Sequence, residues 1–383
     1  MNVAARHRLL VFEPTHVRLE PYPAGRIARW VLRAGLALPF LLLATIDAKA
    51  DTAQTQNGLL VGSVSTIDWP ETGVSSMVDL FPPIGTAVAA LVGSLLGLAI
   101  VGSLVAGYFL QVLIETMHQG HFPLWKVALF LIAVGGNPLF AYTVVSDIQS
   151  TLAICFFGFG IVNSVRFIAN KDTQAGFRAG LQFLIAALSS PMGIVYVIAA
   201  SITAPLFDLA RQGQRGARAS NVLIMVFPTV SAFASVCLLE FVFAQNPFAL
   251  FTHAYSVDAS RLDVFGNLIA TPEGFLVLAT LVVGAVFALI VRRPGSILVS
   301  FLLALSLIGG YLLGVVPPSG FGNVFILLAI MGVAILPLAK AGRSSLAGSI
   351  IAVAQTVIIW LAAFNLPVIA EWMTRLTQLA GIR

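Results

Sequence analysis

Asp47 and Asp51 stand one helical turn apart, directly after the apolar stretch 27–46. On a continued helix they would share a face. A carboxylate at the mouth of a membrane cavity has the chemistry of a general base toward a hydroxyl acceptor. The competing reading is a solvated, acidic loop. A third carboxylate, Asp147, sits in Ser146-Asp147-Ile148-Gln149, at a turn between two apolar stretches and downstream of Asn137-Pro138. An ionisable residue this close to hydrocarbon is a functional candidate by default. Aspartate is equally a favoured helix N-cap, and the sequence leaves both roles open. Asp79-Leu80-Phe81-Pro82-Pro83-Ile84 introduces another apolar stretch, with proline suited to a helix start.

Other reactive types carry less. His118-Gln119-Gly120-His121 has metal-ligand spacing but no third ligand, so no metal is expected. Cys155 and Cys237 fall inside apolar runs and read as packing residues. Gly93, Gly97, Gly102 and Gly107 favour close helix packing. No nucleophile elbow and no strand-borne phosphate loop occurs.

The elements that must position these residues are membrane helices. Of 383 residues, 58% are hydrophobic and only 10% charged, with a mean hydropathy of +0.97. A soluble chain carries about 25% charged residues. Repeated apolar runs of about 20 residues are long enough to cross a bilayer. The expected fold is an all-α, polytopic transmembrane bundle of about 10–11 spans, with a long outer loop after the first span. Basic residues gather on one side: the N-terminal arginines Arg6 to Arg33, Lys126, Arg166, Lys171, Arg178, Arg211, Arg215, Arg218, Arg292, Arg293, Lys340 and Arg343. Lys49, Arg261, Arg375 and Arg383 fall opposite. The positive-inside rule makes the basic side cytoplasmic. The net charge of +5 is then a matter of orientation and lipid headgroups, with no nucleic-acid partner implied.

The expected organisation is a cytoplasmic segment 1–26, a transmembrane domain 27–370 with outer loops 47–82 and 244–272, and a short outer tail 371–383. Span 1 is taken as an uncleaved signal-anchor, although Ala48-Lys49-Ala50 has the form of a signal-peptidase site. Spans are expected over about 84–113, 126–145, 150–168, 221–243, 273–291, 296–316 and 346–370, with one more returning to Lys340. An inner segment, 114–125, is expected to hold Glu115 and the two histidines. The stretch 179–207 is expected to be a hairpin of two short helices broken at Ser189-Ser190-Pro191, because proline removes a donor and biases its predecessor away from helix.

The order of these features resembles the GT-C class of integral-membrane glycosyltransferases. The resemblance covers about residues 27–210: a first span, an acid opening a long outer loop, Phe81-Pro82-Pro83 before span 2, Asp147 at the outer turn between spans 3 and 4, and Ser189-Ser190-Pro191-Met192-Gly193 breaking the following pair. It implies a transferase of a bacterial inner membrane that takes sugar from a polyprenyl-phosphate carrier and gives it to an envelope glycan or lipid. On that reading Asp51 or Asp47 is the base and Asp147 supports the reacting centre. Arg261 and Lys49 are placed to meet the donor's phosphate, with His253 as a helper. No cofactor is implied. Membrane lipid and an envelope-assembly subunit are the further partners. The rival class is a non-enzymatic scaffold or transporter in envelope polysaccharide assembly. Ion-coupled carriers usually place broken helices and polar groups at the midplane, and strongly polar mid-span residues are scarce here.

Overall fold

The computed structural model describes residues 21–49, 55–67, 80–119, 122–170, 172–203, 217–272, 305–306, 308–316 and 344–381, with scattered positions between 275 and 290. Among the described residues all regular structure is helical. Among these residues three helices are long and apolar enough to cross a membrane, or up to five if each of two bent pairs counts as one span. The sequence-derived span over 273–291 lies mostly, and the one before Lys340 wholly, outside the described residues, that over 296–316 is described only from 305, and Asp51, Asp79, His121, Arg211, Arg215, Arg292 and Arg293 also lie outside them.

Helix α1 (Arg26–Asp47) is followed by α2 (Gln56–Ser65), inside the segment expected as a long loop. The next expected span divides into α3 (Pro83–Val92) and α4 (Leu95–Gln119). Gly93 sits between them at φ 63°, the left-handed conformation in which glycine commonly ends helices. Helix α4 runs past the first charges, so Glu115 and His118 are helical residues. The expected span 126–145 is a bent pair, α5 (Leu124–Val134) and α6 (Pro138–Ser146), meeting at 57°. Asn137 caps α6 by accepting from the Leu139 N–H at 2.9 Å. Helix α7 (Ile148–Asn170) starts directly after Asp147.

The stretch 179–207 holds α8 (Thr173–Ser189) and α9 (Pro191–Thr203), with the break at Ser190, whose backbone is extended. Then come α10 (Ala217–Ala244), the short α11 (Ala249–Ala254) and α12 (Arg261–Ala270). The last pair is α13 (Ser344–Asn365) and α14 (Pro367–Leu379), bent by 78°. Most of the expected C-terminal tail is therefore helix.

Two ends of the bundle differ in chemistry. Helices α1 and α4 pack tightly because Gly107 has no side chain: a Cβ there would lie 2.7 Å from the Arg33 carbonyl oxygen and 2.8 Å from Ala37 Cβ. At the end of this pair carrying Arg33, the Arg33 Nε donates to Gln111 Oε1 at 3.1 Å. Gln111, fully buried, donates onward to the Tyr22 carbonyl at 2.9 Å and to Glu115 at 3.1 Å. Arg166 of α7 closes the network with a 2.9 Å ion pair to Glu115. His118 stacks on Tyr22, ring centroids 3.9 Å apart. The opposite, acidic end carries Asp47 and Asp147, and the candidate site lies there.

Candidate functional site

Asp47 is the last residue of α1 and is only 8% exposed. That is a costly place for an anion. Burial strips its water, and the C-terminal end of a helix carries the negative end of the macrodipole. Two groups from the far end of the chain offset this. The Trp372 indole Nε1 donates to Asp47 Oδ1 at 2.9 Å, and the Arg375 guanidinium, one turn further along α14, acts on the same carboxylate. The second Asp47 oxygen accepts no hydrogen bond from the described residues.

Helix α14 reaches Asp47 because its apolar positions recur at helical spacing. Ile369, Trp372 and Leu376 form its buried face, and Trp372 is 1% exposed. The indole meets the Tyr142 ring edge-on, centroids 5.3 Å apart at 71°. Tyr142, on α6, lies within the electrostatic reach of Asp47, Asp147, Glu371 and Arg375.

Asp47 lines a small, partly open cleft of about 10 Å³, room for about one water molecule. Its other walls are Ala44 and Ala48 of the α1 end, Thr55 and Asn57 of the α2 start, Leu95, Leu96 and Ala99 of α4, and Val145 of α6. Asn57 ties this cleft to the joint that holds Asp147. Its side-chain N–H donates to the Val145 carbonyl at 2.9 Å, and its Oδ1 accepts from the Ile148 N–H at 2.8 Å.

Asp147 is 3% exposed and caps α7. One oxygen accepts from the Ser150 N–H at 3.0 Å, the other from the Ser150 hydroxyl at 2.6 Å. Both oxygens are thus engaged, so of the two roles left open by the sequence the structure displays the cap.

The remaining sequence candidates are dispersed. Lys49 is exposed, two residues past Asp47. His253 is an exposed residue in the last turn of α11. The Arg261 guanidinium is folded back on its own loop, donating to the Ser256 carbonyl at 2.6 Å and the Ser256 hydroxyl at 2.9 Å, and it packs against Gly314. In the same loop the Ser260 hydroxyl and N–H hold the Asp258 carboxyl below its ordinary value, with Arg261 a smaller influence. Asp51 lies outside the described residues. Among the described residues, no group of three or more His, Cys, Asp or Glu side chains could hold a metal ion.

Asn57, Tyr142, Trp372 and Arg375 are the site residues that sequence reasoning did not single out. Arg375 had a legible signal, as one of few cations on the carboxylate side. Trp372 had one too: with Ile369 and Leu376 it forms an apolar stripe at helical spacing beyond Pro367. No family model, curated protein or solved structure matches this chain.

Proposed function

We propose that this chain is a membrane glycosyltransferase of about 10–11 spans that moves a sugar from a polyprenyl-phosphate carrier to an envelope glycan or lipid. It would lie in a bacterial inner membrane with its N-terminus cytoplasmic and its acidic end outside. The observation that carries the reading is Asp47: a nearly buried carboxylate in an electrostatically unfavourable position, with one oxygen held, lining a small, partly open cleft. Its chemistry suits a general base that takes the proton of an acceptor hydroxyl. Asp51, four residues on, is the alternative base. Asp147 fixes the α6–α7 joint that walls the cleft, and Lys49 and Arg261 are the candidate cations for the donor's phosphate, with His253 a helper.

A second reading, a non-enzymatic scaffold for envelope-polymer assembly, draws support from two other observations. The cleft, at about 10 Å³, falls far below the roughly 300–1,000 Å³ of ordinary ligand pockets, and Asp147 is engaged in its cap. A transfer assay discriminates the two. The purified full-length chain is given polyprenyl-phosphate-linked sugars and glycan acceptors. The glycosyltransferase reading expects turnover that is lost in Asp47→Asn or Asp51→Asn while membrane insertion and yield are unchanged. Absence of transfer by the well-folded wild-type chain across donors selects the scaffold.

A further inference from the structure

We propose that Trp372, on the C-terminal helix, is a positioning residue for the Asp47 carboxylate, a role that rests on the glycosyltransferase reading above. Their hydrogen bond joins residues 325 positions apart. The indole ring is already packed without it: Ile369 and Leu376 share its buried face and Tyr142 meets it edge-on. A phenylalanine would keep that packing. What a tryptophan adds is one N–H, and buried indole N–H groups find an acceptor.

The simple alternative is that Asp47 serves only to satisfy that donor. Its location argues otherwise. A backbone carbonyl would accept the indole N–H without burying a charge, and a neutral acceptor would avoid the C-terminal end of α1. The chain instead holds a carboxylate there and turns it toward a cleft. With Oδ1 fixed by Trp372, the rotamer is set and the other oxygen is left for proton transfer. In the reaction, the acceptor hydroxyl gives its proton to that oxygen as its own oxygen bonds to the anomeric carbon. The bond from the anomeric carbon to the donor's phosphate oxygen breaks, and the electron pair leaves with the phosphate. Trp372 touches none of the reacting atoms.

The test uses the full-length chain in nanodiscs with a panel of farnesyl-phosphate-linked hexoses and pentoses. Trp372→Phe should lower kcat about ten- to a hundredfold, the range for losing one hydrogen bond to a charged group, and leave KM within about twofold. A purely structural loss would reduce the amount of folded protein and would leave this split unmoved. The second measurement needs no turnover. The chain has five tryptophans, and the Trp372 indole N–H signal in a ¹⁵N spectrum is the one missing from Trp372→Phe. It should shift as Asp47 titrates, and it should cease to titrate in Asp47→Asn. Wild-type kcat in Trp372→Phe, or an indole signal indifferent to Asp47→Asn, overturns the proposal. A wild-type chain that transfers none of the panel overturns the glycosyltransferase reading itself. An Asp47-dependent indole signal in that case leaves Trp372 as a clamp between helices and removes the positioning role.

Discussion

Replacing Asn57 with alanine should loosen the α6–α7 joint at the acidic end. The side chain is 2% exposed and occupies two backbone groups that helix geometry leaves orphaned: the Val145 carbonyl in the last turn of α6 and the Ile148 N–H at the start of α7. Both residues are buried, so water cannot replace the lost partner. Two scales bracket the cost. Interhelical hydrogen bonds within membranes average about 0.6 kcal/mol and reach about 1.7. Stranding a buried backbone group costs about 1–3 kcal/mol. With two groups stranded and little room to relax, Asn57→Ala should cost about 2–4 kcal/mol. Asn57→Asp is the sharper variant. It keeps an acceptor for the Ile148 N–H but sets a carboxylate oxygen against the Val145 carbonyl, so it should cost at least as much. The measurement is the denaturation midpoint of the purified protein in mixed micelles, with Asn163→Ala as a half-buried comparison. A change under about 0.5 kcal/mol for Asn57→Ala would refute the claim that this side chain holds the joint.

Other perturbations test other parts of the structure. Glu115→Ala should destabilise by about 1–2 kcal/mol, and Arg166→Ala by less, because Glu115 also accepts from Gln111 and Gln119; a double-mutant cycle in the same micelles measures their coupling. Gly193→Ala should cost about 1–3 kcal/mol, since the added Cβ would overlap the Ala186 carbonyl across the α8–α9 hairpin; a denaturation midpoint equal to wild type would count against that close approach. Ser260→Ala should move the Asp258 carboxyl up toward its ordinary value, read by NMR titration. Because the folded value is depressed, the contact's contribution is present above the unfolded value and is lost as pH falls through the folded one.

Periodicity and length predict the all-helical class and the position of several helices. The apolar run after Arg26 is α1, and Pro191 marks the α8–α9 break, because in both places the local chemistry decides the backbone. What escaped was set by partners remote in sequence. Helix α4 runs on through Glu115 because Gln111 and Arg166 satisfy its polar side chains, a partnership no window of neighbouring residues reveals. The bend at Gly135-Gly136-Asn137 is held by Trp360, whose Nε1 donates to the Ile132 carbonyl at 3.1 Å across 228 positions. At the site, Asp47 and Asp147 could be named from their types and their places at span ends. Their different situations could not, since one depends on α14 and the other on the geometry of a single turn.

The polar residues scattered through the apolar segments have a common use that bears on Asp47. Non-helical backbone at membrane depth must be buried in protein or line a wet cavity, and four of the breaks here are furnished with a side-chain partner. Ser94 accepts from the Gly97 N–H, Asn137 from Leu139, Asp147 from Ser150 and Ser190 from Met192. Tyr255 donates to the Pro191 carbonyl at the start of α9, and buried Glu240 accepts from the Leu250 N–H in α11. The groups that accept from these N–H donors satisfy helix-end backbone, and Tyr255 ties its loop to α9; each has reason enough for its presence in an apolar chain. Asp47 does not fit the pattern. It stands at the wrong end of its helix to cap it, accepts from a side chain 325 positions away, and borders a small cleft. Glu240 also keeps one buried oxygen, Oε1, without a hydrogen-bond partner, but Asp47 is the one of the two that lines a cleft, and that is why the tests of function converge on it.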